Sequence, residues 1–452
     1  MFNFDRRAFL KLMGQGTAAL GMGFSLNSLT ACAKQESVSE STEGKYQIFY
    51  PGEYLDFEKE AIEERFELAA KEPEGVLQTT EPVKQYDLLA FNRRWDPFNP
   101  LFNDKDYAQK AGYPNVPGWP DYIFMQAGPD LKIWPNLVQA DCFYVSHGPD
   151  DRRFYTPVFE GDVFTIEPEK PVFEDITVPG SDLRHFKIVV SSKMYNQKGE
   201  LAVWGSTVFR NAYRKIIDKS SPPVTHDTLT TPAHYTTDEE WEYIKELWNK
   251  EYIRGSQKLY WEDVNVGDEP TWVCSGAISP MDMVGWYGGF QQYAPWSVRE
   301  KLLRGESMYR DRFGQYMVGE ARHIFNMNNP DYRMLFYNDT PAKIITRMVT
   351  NYIGDAGLVT RIGWEFMQLT EEMQLARPGG EYLDKVPYMK GKGCTEHGGE
   401  GDTVVAKGYV TDKYINDKGE GIIDLVCWGE TLDKGKIIEL CPASARLPLK
   451  KG

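Results

Sequence analysis

"GGEGDTVVAKGYVTDKYINDKGEGIIDLVCWGETLDKGKIIELCPASARL" (residues 398–447) is the stretch from which the fold can be read. Apolar and polar residues alternate along it, and the alternation is broken by turn sequences rich in Gly, Asp, Asn and Lys. A period of two with such breaks predicts antiparallel strands that bury one face. The same plan occurs upstream, where "FYTPVFEGDVFTIEPEKPVFED" (154–175) leads into "HFKIVVSSKMYNQKGELAVWGSTVFR" (185–210). Each copy opens on a Gly-Asp turn, Gly161-Asp162 or Gly401-Asp402, and later passes through a polar hairpin, at 196–200 or 432–436. A more helical, aromatic-rich stretch precedes each block, at 86–128 and 281–361. The chain therefore reads as one α+β unit used twice.

The two copies are separated by "DKSSPPVTHDTLTTPAHYTTDEEWEYIKELWNKEYIRG" (218–255), which begins as a Pro/Ser/Thr-rich linker. It then becomes a helix, for which Thr237 and Glu240 have capping-box spacing. The expected boundaries are 55–215 for the first unit, 216–257 for linker and helix, and 258–449 for the second.

Three further stretches resemble one family. "LYWEDVNVGDEPTWVCSGAISPMDMVGWYGG" (259–289) is similar to the opening of a MaoC-like acyl dehydratase unit. "NPLFNDKDYAQKAGYPNVPG" (99–118) resembles the segment that follows that family's catalytic turn. "TRMVTNYIGDAGLVTRI" (346–362) resembles a stretch of its two-unit members. The resemblance runs over roughly residues 55–449. It implies a hotdog fold, in which an antiparallel sheet wraps one long helix, with two hotdog units in one chain. It also implies the family's chemistry, the addition or removal of water across a double bond conjugated to a thioester carbonyl. An Asp and a His share the activated water there, and an amide at a helix N-terminus polarises the carbonyl.

This sequence departs from the family signature D-x-N-P-L-H within "WDPFNPLFND" (95–104). Asp96 matches the acid only with one residue inserted, Asn99, Pro100 and Leu101 match, and Phe102 stands at the histidine position. In the second unit "QQYAPWS" (291–297) offers Gln292 and Ser297 at the two catalytic positions. Any acid–base chemistry then rests on other groups. The catalytic candidates are Asp96 and Asn99 in the first unit, with Asp355 in "YIGDAG" and His323 in "EARHIF" from the second. Each has a plainer alternative: Asp96 as a turn or cap residue, Asn99 as the organiser of its turn, Asp355 as a helix-ending turn and His323 as a structural histidine. Asp121 is expected to cap the central helix, and Tyr122 to face the cleft. With Phe102 and Trp286, Tyr122 completes the expected substrate contacts.

The first 33 residues are expected to be an export signal. "DRRAFLK" (5–11) resembles a twin-arginine motif, and "LTAC" (29–32) resembles a lipobox that would place diacylglycerol on Cys32. An uncleaved membrane anchor is the alternative. Residues 34–54 read as a polar tether. No later segment approaches the roughly 20 apolar residues that span a bilayer. The expected location is the outer face of the cytoplasmic membrane or the periplasm, with membrane contact through the lipid anchor only.

With 452 residues, 41% of them hydrophobic, the chain can bury more than one full core. Its net charge of −15 argues against nucleic acid and anionic membrane surfaces as partners. The five cysteines after Cys32 show no C-x-x-C spacing, which argues against a metal site. No dinucleotide fingerprint or P-loop is present, so no cofactor is expected. Three functions fit. One is a lyase for a small unsaturated or hydroxylated carbonyl compound, not a CoA thioester, which is not expected outside the cytoplasm. The others are a non-catalytic ligand-binding lipoprotein and an accessory subunit of an exported redox enzyme. The protein partners these readings imply are a second copy or a co-exported redox protein.

Overall fold

The computed structural model describes residues 44, 46–71, 78–127, 142–147, 150–215, 217, 235–279, 282, 308–310, 316–318, 340–366, 401–432 and 437–450. Cys32, Trp286 and His323 lie outside the described residues, as does most of the hairpin at 432–436.

The alternating runs become one antiparallel sheet. The first half supplies β1 (Gln78–Thr79), β2 (Cys142–His147), β3 (Asp150–Phe154), β4 (Phe164–Pro168), β5 (Val172–Asp175), β6 (Arg184–Asn196) and β7 (Leu201–Arg214). The second half supplies β8 (Val273–Ala277), β11 (Leu358–Phe366), β12 (Thr403–Ile415), β13 (Gly421–Thr431) and β14 (Ile437–Leu447). A short ribbon of β9 (Met308–Arg310) and β10 (Tyr316–Val318) stands apart. The strand order is β1-β4-β6-β7-β3-β11-β14-β13-β12-β8, with β2 on β7 and β5 on β6. Read inward from either end, the order is the same: β1 corresponds to β8, β4 to β12, β6 to β13, β7 to β14 and β3 to β11. The halves meet where β3 pairs with β11, from Arg153 opposite Arg361 to Asp150 opposite Trp364. That ladder covers an edge that each half would otherwise expose.

The two Gly-Asp turns show the same correspondence in hydrogen bonds. Gly161 N donates to Val83 O (2.8 Å), and Val83 N to Asp162 O (2.9 Å). Gly401 N donates to Ile278 O (2.8 Å), and Ile278 N to Asp402 O (3.0 Å). Both glycines have φ near +85°, which a side chain would resist.

In the second half the sheet wraps one helix. The helices are α1 (Asp56–Lys71), α2 (Gln85–Trp95), α3 (Lys105–Lys110), α4 (Tyr122–Ala127), α5 (Asp238–Lys250) and α6 (Thr340–Ile353). Helix α6 packs against all five strands of its half. Nearly all of its residues are buried, the apolar Ala342, Ile345, Met348 and Val349 together with the polar Lys343, Thr346 and Asn351, as in a helix enclosed by a sheet. Each of the Ile, Met and Val side chains adds about 1.5–3 kcal/mol when fully buried. In the first half α4 rests on β7 at Gly205, where a Cβ would collide with the Phe124 ring. The architecture is α+β, with two hotdog units in one chain.

The linker helix α5 starts on the capping box, with Thr237 Oγ1 accepting from Glu240 N (3.1 Å) and the Glu240 side chain accepting from Thr237 N (2.6 Å). Its Ile244 and Leu247 pack on Cys274 and Val405. Cys274, Cys427 and Cys441 are buried, and Cys274 and Cys427 are free thiols.

One boundary differs from the reading of the sequence. The chain is already packed at Tyr46 and Phe49, inside the stretch read as a tether, and Phe49 bridges to Ser181. The polar Ser/Glu composition gives way there to "YQIFYPGEYL" (46–55), whose aromatics find apolar partners. From Tyr46 onward the chain forms one compact unit.

Candidate active site

Helix α2 stops at Trp95, where Asp96 N still donates to Asn92 O (2.8 Å) and Pro97 cannot continue the ladder. Asn99 then starts a single 3-10 turn at Pro100–Phe102, its Oδ1 accepting from Leu101 N (3.1 Å). Asn103 closes the loop by donating to Asp96 O (2.7 Å) and Asn99 O (2.9 Å). Asn92 is fully buried and clamps this loop to the next. Its Nδ2 donates to Phe102 O (2.7 Å) and Pro117 O (2.9 Å), and its Oδ1 accepts from Trp119 N (2.7 Å). The turn and residues 117–122 are therefore held as one surface.

That surface is one wall of a cleft of about 670 Å³, counting its solvent-facing mouth. The first half contributes Asn99, Phe102, Trp119, Asp121 and Tyr122, and the second half Thr350, Ile353 and Val359. The lining is mostly apolar, as in small-molecule sites. Gly354, at φ +68°, ends α6 at the rim and lies against Gly255 O, so a Cβ there would be 2.8 Å from that oxygen. Tyr122 is packed edge-on to Phe91, with ring centroids 5.4 Å apart. Its hydroxyl has no hydrogen-bond partner among the described residues. Burial, with Asp87 adding to it, pushes that hydroxyl well above the ordinary tyrosine range, so it stays a neutral donor.

Asp96 does not line the cleft; it lies behind Asn99 and is 0% exposed. Neither carboxylate oxygen completes a hydrogen bond of good geometry among the described residues. Burial pushes the carboxyl from 3.8 up to about 6; Arg347, 4.0 Å away, and the approach of Asn99 soften that rise, while Glu251 adds to it. Arg347 cannot answer Asp96 fully because Glu251 claims it, through Arg347 Nε to Glu251 Oε1 (2.8 Å) and a second contact from Nη2.

Asp355 is not brought to the cleft. Tyr107 donates to its Oδ2 (2.8 Å), Tyr113 to its carbonyl (2.8 Å), and its own N–H donates to Gly255 O (2.9 Å). Its carboxylate ties Tyr107 of α3 to the turn after α6. The expectation for Asp121 is also corrected. Its backbone sits at φ +75°, and its carboxylate turns from the helix end to Lys343 of α6 and to Arg152, whose Nε is 3.5 Å away.

This ionic cluster escaped the sequence reading. Asp121, Arg152, Asp150 and Lys343 are each at most 5% exposed. Asp150 lies 3.6 Å from Arg152 Nη2, and the guanidinium sits between the rings of Phe124 and Trp364, 3.7 and 4.7 Å from their centroids. A non-glycine residue at positive φ costs about 1–3 kcal/mol and persists where its surroundings enforce it. One signal was visible: Lys343 interrupts the apolar run "TPAKIITRMV" (340–349), and a lysine there must find a buried partner.

No protein-family model matches the chain, and no curated protein matches it significantly. Among solved structures, a MaoC-like dehydratase superposes with a TM-score of 0.46 at 14% identity, covering 91% of this chain and 99% of its own. A MaoC domain dehydratase from Chloroflexus aurantiacus gives 0.42 at 13%, over 83% and 96% of the two chains. A conserved hypothetical protein from Mycobacterium tuberculosis with a double hotdog fold gives 0.40 at 11%, over 82% and 96%. The structural neighbours of this chain include MaoC-like dehydratases and a double hotdog protein.

Proposed function

We propose that the protein is a hydro-lyase that adds water to, or removes it from, a small unsaturated or hydroxylated carbonyl compound held in the cleft. One observation carries this reading. The Asp96 carboxyl is buried, short of hydrogen bonds and poised at about 6, directly behind the Asn99 wall. A carboxyl in that range can both take and return a proton near neutral pH. In hydration the water oxygen bonds the β-carbon while the C=C π pair moves to the α-carbon side as an enolate. The proton that the water loses passes through an intervening water to Asp96, which does not itself line the cleft, and returns by the same route to the α-carbon. Tyr122 donates to the carbonyl oxygen as charge develops there. Asn99 orders the turn that keeps Asp96 against the wall.

The test is water addition to α,β-unsaturated ketones in ¹⁸O water, followed by mass spectrometry of the β-hydroxy product. The expected result is label at the β-position, with Tyr122→Phe slowing turnover by about 10²–10³-fold. A second reading is favoured by Asp96 lying off the cleft and by Phe102 on its wall: a ligand-binding protein without turnover. Tight binding of an enone with no labelled product would establish it.

The protein reaches its place of action by the twin-arginine route and is anchored through Cys32 at the outer face of the cytoplasmic membrane or in the periplasm. "DRRAFLK" and "LTAC" support this. Labelled palmitate should enter the wild type and not Cys32→Ala, and an unlabelled protein beginning at Met1 would rule it out.

A further inference from the structure

Among the described residues that line the cleft, Asp121 is the only charged one. Resting on the reading above that the cleft holds a carbonyl compound, we propose that it takes an uncharged one and turns away carboxylates and phosphate esters. Asp121 is the specificity-determining residue.

Two cations, Lys343 and Arg152, stand behind this part of the wall, both nearly fully buried. Left to themselves they would draw an anion into the cleft, because charges in a low-dielectric wall act over several ångströms. Asp121 engages both, with its Oδ2 on Lys343 and its Oδ1 facing Arg152 Nε at 3.5 Å. Asp150 lies against the same guanidinium, 3.6 Å from Nη2. The cations therefore spend their field within the wall. The strained φ of +75° keeps the Asp121 carboxylate turned onto them. An anion entering this apolar cleft would lose its hydration without gaining a counter-charge, which is costly. A ketone or ester loses little, and the neutral Tyr122 hydroxyl can donate to its oxygen. The net charge of −15 acts in the same direction over longer distances.

The experiment compares matched pairs by calorimetric titration: 4-phenyl-3-buten-2-one against cinnamate, and 3-octen-2-one against 2-octenoate. Wild type should bind at least one ketone and bind its acid at least about tenfold more weakly. Asp121→Asn, whose side chain tolerates positive φ, makes the cluster more positive by one charge and should tighten the acid by about tenfold or more. The double variant Asp121→Asn/Lys343→Met removes that charge again and should reject the acid once more. A merely structural role for Asp121 would weaken both members of a pair together. Equal affinity of wild type for ketone and acid overturns the proposal, as does failure to bind any ketone. So does an Asp121→Asn protein that melts cooperatively without the shift. If that variant does not fold, the wild-type comparison decides alone. Ketone preference without hydration would end the hydro-lyase reading and leave this one standing.

Discussion

Asp96→Asn should make the protein more stable at neutral pH and much less active. The carboxyl sits at about 6 in the folded chain against an ordinary 3.8, so between those values the folded state binds more protons than the unfolded state. Stability then falls as pH rises through that window and stays lower above it, because a buried charge must be carried. A gap of about two pH units corresponds to about 3 kcal/mol at pH 7. Asparagine keeps the shape and never ionises. Denaturant unfolding from pH 3.5 to 8 should therefore show the variant gaining on wild type between about pH 4 and 6, with the two curves converging below. Curves that run parallel across the range would remove Asp96 as a strained carboxylate. Turnover of a hydrated enone should fall by about 10²–10⁴-fold, the usual worth of general acid–base catalysis. Stability gained where activity is lost marks a group kept for function.

Arg184→Met should cost about 3–5 kcal/mol of stability, the expected loss when one partner of a buried ion pair is removed. Arg184 on β6 and Glu58 on α1 are both 0% exposed, with Nε to Oε1 at 2.9 Å and Nη2 to Oε2 at 3.1 Å. The same guanidinium donates to Tyr50 O (2.9 Å) and Glu53 O (2.6 Å), and its plane lies near the rings of Phe49 and Tyr54. One side chain thus holds the first packed segment against the outer face of the sheet. Lysine should not rescue it, because one ammonium cannot reproduce the fork that reaches two carboxylate oxygens and two carbonyls. Arg184→Met/Glu58→Leu should recover part of the loss, since Glu58 no longer stays buried without its partner, while Asp175, 3.4 Å from Arg184 Nη1, still loses its cation. Chemical denaturation measures all three variants. A single-variant loss within 0.5 kcal/mol, the usual range of a surface change, would show that the strap contributes little.

The sequence by itself determined the elements that depend on local pattern. Alternation with Gly-Asp breaks is enough to specify strands and where they turn, because period-two burial and positive φ are properties of neighbouring residues. The duplication was legible for the same reason, as was the capping box at Thr237. The loop at 95–104 was legible as a turn ordered by Asn99.

Only the tertiary structure decided what the site contains. Asp96, Asp121 and Asp355 each follow or precede a turn residue and look alike in sequence. Their roles diverge through partners more than 150 positions away: Arg347, which is shared with Glu251; Lys343; and, for Asp355, the hydroxyl of Tyr107. Burial and long-range pairing set the charge and availability of a carboxyl. Both arise only when the two halves join at β3 and β11 and bring α6 up to the loops of the first half.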